Sequence, residues 1–184
     1  MKKSIVNIRS TTILGVRHKG QVAVAGDGQV TLGDMAMKQK AVKVRKFNSP
    51  KGGVVGGFAG AAADALTLFE KFEQKLDEYE GDLKRSVVEM AKDWRMDKML
   101  RHLEALLLVM DKKNSFIIAG DGNVIEPDSQ IVAIGSGGGY AQAAATAYLK
   151  SSTFSAKKVA QESLKIASGL CIYTNDSISV IEIT

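Results

Sequence analysis

A chain of 184 residues is long enough for one domain with a sizeable core and too short for two comfortable ones. Apolar residues at 45% and charged residues at 24% are ordinary for a soluble globular protein. The net charge of +5 comes from scattered residues such as Lys38, Lys40, Lys43, Arg45, Lys46, Lys84 and Arg85; with aromatics at 6% and no recognition motif, it excludes a nucleic-acid-binding stripe.

Residues 1–10, MKKSIVNIRS, hold no apolar run long enough for a signal-peptide core, and no stretch approaches the roughly 18 apolar residues of a membrane helix. With a single cysteine, Cys171, there is no intrachain disulfide and no thiolate metal cluster. A soluble, cytoplasmic protein is expected.

Thr12–Val16 and Gln21–Ala25 read as strands joined by a turn at His18-Lys19-Gly20. Gly26-Asp27-Gly28 closes the second strand, and both it and Gly120-Asp121-Gly122 read as hairpin turns. A third strand is predicted over Val42–Phe47, then a loop over Asn48–Gly53 and a buried strand over Val54–Phe58. Helical periodicity begins after Gly60. Ala61–Tyr79 places Ala65, Leu68, Phe69, Phe72 and Leu76 on one stripe. Asp82 is a credible N-cap for a second helix running to about Arg101, with Leu83, Val87, Met90, Trp94 and Met99 on its apolar face. Strands return at Ala105–Met110, Ser115–Ala119 and Ile131–Ile134. Helices follow over Gly137–Lys150 and Ser155–Ala167, and a strand over Ser177–Ile183. Paired helices do not suit a βαβ repeat; two packed sheets with a helix pair on each outer side fit better.

Most local candidates for chemistry are weak. Gly135-Ser136-Gly137-Gly138-Gly139 opens a helix after a strand, yet Tyr140 breaks a dinucleotide fingerprint, and no GKS or GKT exists for a P-loop. His18 and His102 sit in unrelated settings. Ser136 misses the GxSxG pattern because Ile134 occupies its first position. Cys171, within Leu-Cys-Ile-Tyr, reads as a buried, inert thiol. Ser10-Thr11-Thr12 before a strand says little alone, since threonine favours strands.

The segments Thr11-Thr12-Ile13, Ala25-Gly26-Asp27-Gly28-Gln29, Val42-Lys43-Val44-Arg45, Gly57-Phe58-Ala59-Gly60, Ala63-Asp64-Ala65, Lys92-Asp93-Trp94-Arg95, Leu103-Glu104-Ala105, Ala133-Ile134-Gly135-Ser136-Gly137-Gly138 and Cys171-Ile172-Tyr173-Thr174-Asn175 occur in order. The ordered set, spanning Thr11 to near the C-terminus, closely resembles the HslV (ClpQ) family of bacterial proteasome-like peptidases. The resemblance implies an α+β N-terminal-nucleophile hydrolase fold, a four-layer α-β-β-α sandwich, over residues 11–184, with residues 1–10 a removable leader. It implies Thr11 as the nucleophile, exposed as a new N-terminus. Lys43 would stand beside its hydroxyl, Asp27 would orient Lys43, Ser136 would bond near the amine, and the Gly60 N–H would hold the oxyanion. Read singly, the same residues are a surface lysine, a turn former, a cap and a helix-start glycine.

The resemblance further implies a structural monovalent cation, sodium by preference, held by the carbonyls of Ser168, Cys171 and Thr174. Ser168 stands where the family usually has glycine. It also implies a homo-dodecamer of two stacked hexameric rings. A ring ATPase, HslU (ClpY), would use ATP and feed unfolded protein substrates. No cofactor is needed for the chemistry, and no nucleic acid or membrane is implied as a partner. Three further departures stand out: the ten-residue leader, a loop at Asn48–Gly53 longer by about two residues, and a Thr11-Thr12 pair that leaves the cleavage point open by one, with Thr11 favoured. The competing expectations are a non-catalytic scaffold of the same fold and another N-terminal-nucleophile amidohydrolase.

Overall fold

The computed structural model describes residues 11–60, 62–97 and 105–184, the side chains of 62–66 excepted. Its elements are β1 (Thr12–His18), β2 (Gln21–Gly26), β3 (Val30–Leu32), β4 (Met35–Lys38), β5 (Val44–Phe47), β6 (Val54–Ala59), α1 (Ala62–Glu78), α2 (Leu83–Met96), β7 (Leu106–Met110), β8 (Ser115–Ala119), β9 (Val124–Ile125), β10 (Ile131–Gly135), α3 (Gly138–Ser151), α4 (Ala156–Ser168) and β11 (Ser179–Ile183).

Two antiparallel sheets form the middle layers, one ordered β10-β1-β2-β11 and the other β5-β6-β7-β8-β9. The central strands read as apolar runs because they are buried on both faces. Along β1 and β2, Ile13, Val22 and Val24 enter the core between the sheets, while Leu14, Val16, Ala23 and Ala25 face the layer of α3 and α4. On the far side, Phe47 and Phe58 of the five-stranded sheet meet Leu68, Phe69, Phe72 and Leu76 of α1 and Leu83, Val87, Met90 and Trp94 of α2. The Phe47 ring packs edge-on against Phe72 at 4.9 Å and Phe69 at 5.6 Å, the arrangement that aromatic quadrupoles favour. The layer order is therefore α-β-β-α, as expected.

Asp82 caps α2, its carboxylate accepting the Arg85 N–H at 3.0 Å. Asp82→Ala should lower stability by about 1 kcal/mol, read as a shift in denaturation midpoint at unchanged m-value. The helix ends earlier than predicted: Asp97 is extended at φ −77 and ψ 115. Met99 and His102 lie outside the described residues, as does the leader.

Three local readings are corrected. Val42 is 71% exposed and β5 begins at Val44, because Lys43 turns into the interior. Gly26-Asp27-Gly28 is not a hairpin turn: Asp27 is fully buried, and the chain continues into the β3–β4 hairpin, which the sequence did not announce. Gly120-Asp121-Gly122 does turn between β8 and β9, with Ala119 N–H reaching the Asn123 carbonyl at 2.9 Å. No helix among the described residues is long and apolar enough to cross a membrane.

Candidate active site

The two sheets bring the start of β1, the ends of β2, β6 and β10 and the start of β5 to one place. Thr12 pairs with Gly135, Ile13 with Gly26, and Val44 with Gly57. Glycine lets the layers close there: a Cβ on Gly57 would lie 2.7 Å from Cγ2 of Ile13 in the opposite sheet.

Asp27 is at the centre. Its Oδ1 accepts the Thr12 N–H at 2.8 Å and the Lys43 ammonium at 3.1 Å; its Oδ2 accepts the Gln29 N–H at 2.9 Å and the Asn175 N–H at 3.4 Å. A fully buried carboxylate is tolerable only with such a donor set and an opposite charge. Lys43, 2% exposed, also donates to the Gln29 carbonyl. Burial pushes the Lys43 pKa below the ordinary lysine value, and the charge and hydrogen bond of Asp27 push back. Lys43 and the Thr12 amide share one carboxylate oxygen, and that amide is half of the peptide bond leaving Thr11. The ammonium is thereby brought to the candidate nucleophile's own backbone.

Thr11 is 2% exposed, and its carbonyl accepts the Ser136 N–H at 3.0 Å. Gly135 before it has φ +89, and a Cβ there would overlap the Thr11 carbonyl while meeting Ala59 Cβ at 3.3 Å. Thr11, Ala59-Gly60 and Gly135-Ser136 are thus neighbours. Gly60, at φ +144, occupies a conformation that other residues rarely adopt. The Ser136 side chain is exposed, so its backbone makes the contact to Thr11.

The structure therefore brings together Thr11, Asp27, Lys43, Gly60 and Ser136. Lys43 is not a surface lysine, nor Asp27 a turn former. His18 ends β1, about 20 Å along the strand from Thr11. Cys171 is 8% exposed. The Gly135–Gly139 loop spends two amides internally, Ser136 N–H on Thr11 and Gly137 N–H on Thr12 Oγ1 at 2.9 Å, so those two do not face a phosphate. Among the described residues there is no His, Cys, Asp and Glu cluster able to hold a metal.

Sequence reading missed Gln29, Asn175, Thr12 and the Thr174 side chain. Gln29 holds Lys43 through its carbonyl and reaches the Ile172 carbonyl through its amide at 2.9 Å. Asn175 accepts the Gly28 N–H at 2.9 Å. Thr12 and Thr174 touch hydroxyl to hydroxyl at 2.7 Å. Ile172, Thr174 and Asn175 come from the opposite end of the chain, so no local pattern points to their contacts with Gln29, Thr12 and Gly28.

A family model for the proteasome subunit matches residues 8–183. A Treponema denticola protein named ATP-dependent protease subunit HslV is 54% identical, over 96% of this chain and 98% of its own length. An Aquifex aeolicus protein of the same name is 53% identical, over 97% and 100%. The crystal structure of eukaryotic HslV from Trypanosoma brucei superposes with a TM-score of 0.85 at 44% identity, covering 93% of this chain and 98% of that one. Thiobacillus denitrificans BPH, 20% identical over 94% of this chain and 97% of its own, shares the fold with a TM-score of 0.75. On sequence and fold, this chain belongs to the proteasome subunit family, on its HslV branch.

Proposed function

We infer that this chain is the threonine-type peptidase subunit of an ATP-dependent protein-degrading complex, with Thr11 as its nucleophile. The observation that carries the assignment to Thr11 is the buried Lys43–Asp27 pair hydrogen-bonded to the peptide that follows Thr11.

Threonine hydroxyl is a poor nucleophile near neutral pH and needs a base. A free α-amine titrates near pKa 8 and serves once Thr11 is the first residue. Thr11 Oγ1 attacks the substrate carbonyl carbon and its proton passes to the α-amine, directly or through water. The Gly60 N–H stabilises the oxyanion. Collapse expels the product amine, which takes the proton from the ammonium, and leaves an ester on Thr11. Water then attacks the ester while the amine again takes the proton, and returns it to Thr11 Oγ1 as the C–O bond breaks and the carboxylic acid product leaves. The positive charge of Lys43 favours the alkoxide and keeps the nearby amine neutral. Asp27 holds Lys43 in place, and Ser136 fixes the Thr11 carbonyl.

With residues 1–10 attached the amine is an amide and accepts no proton, so the leader works as a safety catch. Intact mass tests this: mature protein should start at Thr11. An uncut chain that does not hydrolyse peptides, even with its ATPase, would instead support the scaffold reading. Cleavage of small amides but not of unfolded protein would support another amidohydrolase.

The carbonyls of Ser168, Cys171 and Thr174 would hold a monovalent cation, sodium by preference. Ser168 ends α4, where the helix dipole is negative, and hard oxygen donors suit such an ion. The Cys171 carbonyl accepts one hydrogen bond, from Thr174 N–H at 3.0 Å, which leaves a lone pair for a cation. Bound there, it would supply structural charge balance only. The ring ATPase HslU, a dodecamer of two hexameric rings and a cytoplasmic setting complete the proposal. Leu32, Met35 and Met37 on the β3–β4 hairpin, 42%, 68% and 61% exposed, offer apolar surface for subunit contacts.

A further inference from the structure

We propose that Thr174 is a positioning residue for the Thr11 nucleophile, acting through the hydroxyl of Thr12. The proposal rests on Thr11 being the nucleophile.

Thr12 is fully buried and each of its polar atoms is used. Its N–H donates to Asp27 Oδ1 at 2.8 Å, and its carbonyl accepts the Asp27 N–H at 3.2 Å. Its Oγ1 accepts the Gly137 N–H at 2.9 Å and lies 2.7 Å from Oγ1 of Thr174, itself 4% exposed. With Gly137 filling one acceptor lobe, the remaining hydrogen-bonding capacity of the Thr12 hydroxyl faces Thr174. The Thr174 hydroxyl therefore fixes the Thr12 side chain, and with it the backbone that carries Thr11. On the Gly137 side the packing is tight: a Cβ there would fall 2.5 Å from Thr12 Oγ1 and 2.6 Å from Thr174 Oγ1.

Thr174 is anchored in turn. Its N–H bonds the Cys171 carbonyl, and the next residue, Asn175, bonds Asp27 Oδ2 through its N–H and the Gln39 carbonyl through Nδ2 at 2.9 Å. Two consecutive residues thus hold the two halves of the site: Thr174 holds the strand bearing Thr11, and Asn175 holds the carboxylate that carries Lys43. The spacing between nucleophile and ammonium depends on both. Small misplacements of reacting groups are expensive in rate.

The test is kinetic, on mature protein assembled with its ATPase and a fluorogenic peptide. Thr174→Val keeps the shape and removes the hydroxyl. It should lower kcat about tenfold or more with KM within about twofold, and slow covalent capture of Thr11 by a peptide electrophile in parallel. Thr174→Ser should restore both. Ser163→Ala removes another fully buried hydroxyl, one without a hydrogen-bond partner in α4, and should leave kcat unchanged. Thr12→Val, which also loses the Gly137 N–H bond, should lower kcat at least as far, and the double variant should be no worse than Thr12→Val alone. If Thr174→Val does not fold, Thr174→Ala removes the same hydroxyl without adding a methyl and should show the same kcat loss. Wild-type kcat in Thr174→Val, a Ser variant as slow as the Val variant, or additive effects would overturn the proposal. Thr11→Ala separates the two readings: if it is inactive while Thr174→Val runs at the wild-type rate, only the positioning role fails.

Discussion

Thr11→Ala is expected to abolish peptide hydrolysis, by at least about 10⁴-fold in kcat, and to leave residues 1–10 attached to the chain. The acyl-enzyme needs a hydroxyl and an α-amine on one residue, and alanine supplies only the amine. Thr12 offers no substitute. Its hydroxyl lies between the Gly137 N–H and Thr174, and its nitrogen is bound to Asp27. The Thr11 side chain is small and its carbonyl contact to Ser136 uses only backbone, so the fold should survive. Intact mass and peptide turnover with the ATPase check both halves. A variant that still sheds its leader and turns over peptide would place the nucleophile elsewhere.

Lys43→Met should be the next most damaging change. It keeps the length of the side chain and deletes the charge, leaving Asp27 buried against Thr12, Gln29 and Asn175 amides without a counter-cation. Breaking a buried pair in this way costs about 3–5 kcal/mol. On the fraction that remains folded and assembled, kcat should fall about 10²- to 10³-fold, the range for losing a group that stabilises developing charge. Asp27→Asn probes the same pair through pH. Burial lowers the Lys43 pKa and Asp27 raises it, so without the carboxylate Lys43 surrenders its proton at lower pH than in the wild type. The variant's activity relative to wild type should therefore rise as pH is lowered. A pH-independent ratio would mean that the charge state of Lys43 does not govern the rate.

The layers were legible because their signals are periodic and local. Leu68, Phe69, Phe72 and Leu76 repeat at helical spacing, and Asp82 stands where a cap belongs. Buried strands such as Val22–Ala25 read as apolar runs because both faces meet a core. The site was legible only through a resemblance. Lys43 sits among exposed Lys38, Lys40 and Lys46, and nothing beside it says that it alone points inward. Gly26-Asp27-Gly28 and Gly120-Asp121-Gly122 have the same composition. The first becomes a charged core because Gln29 and Asn175 close over it, the second a solvent turn because nothing does. The β3–β4 hairpin escaped notice because all of β4 is exposed, so no alternation of burial marks it.

The hydrogen bonds that fix the nucleophile's strand span 125 residues to Gly137 and 162 to Thr174. During synthesis at about 5–20 residues per second, Thr11 is added roughly 8–33 seconds before Thr174. Throughout that interval the strand that begins at Thr12 lacks the residues that later hold it in place. The strand that carries Thr11 is therefore locked by its final contacts only when nearly the whole chain has been made.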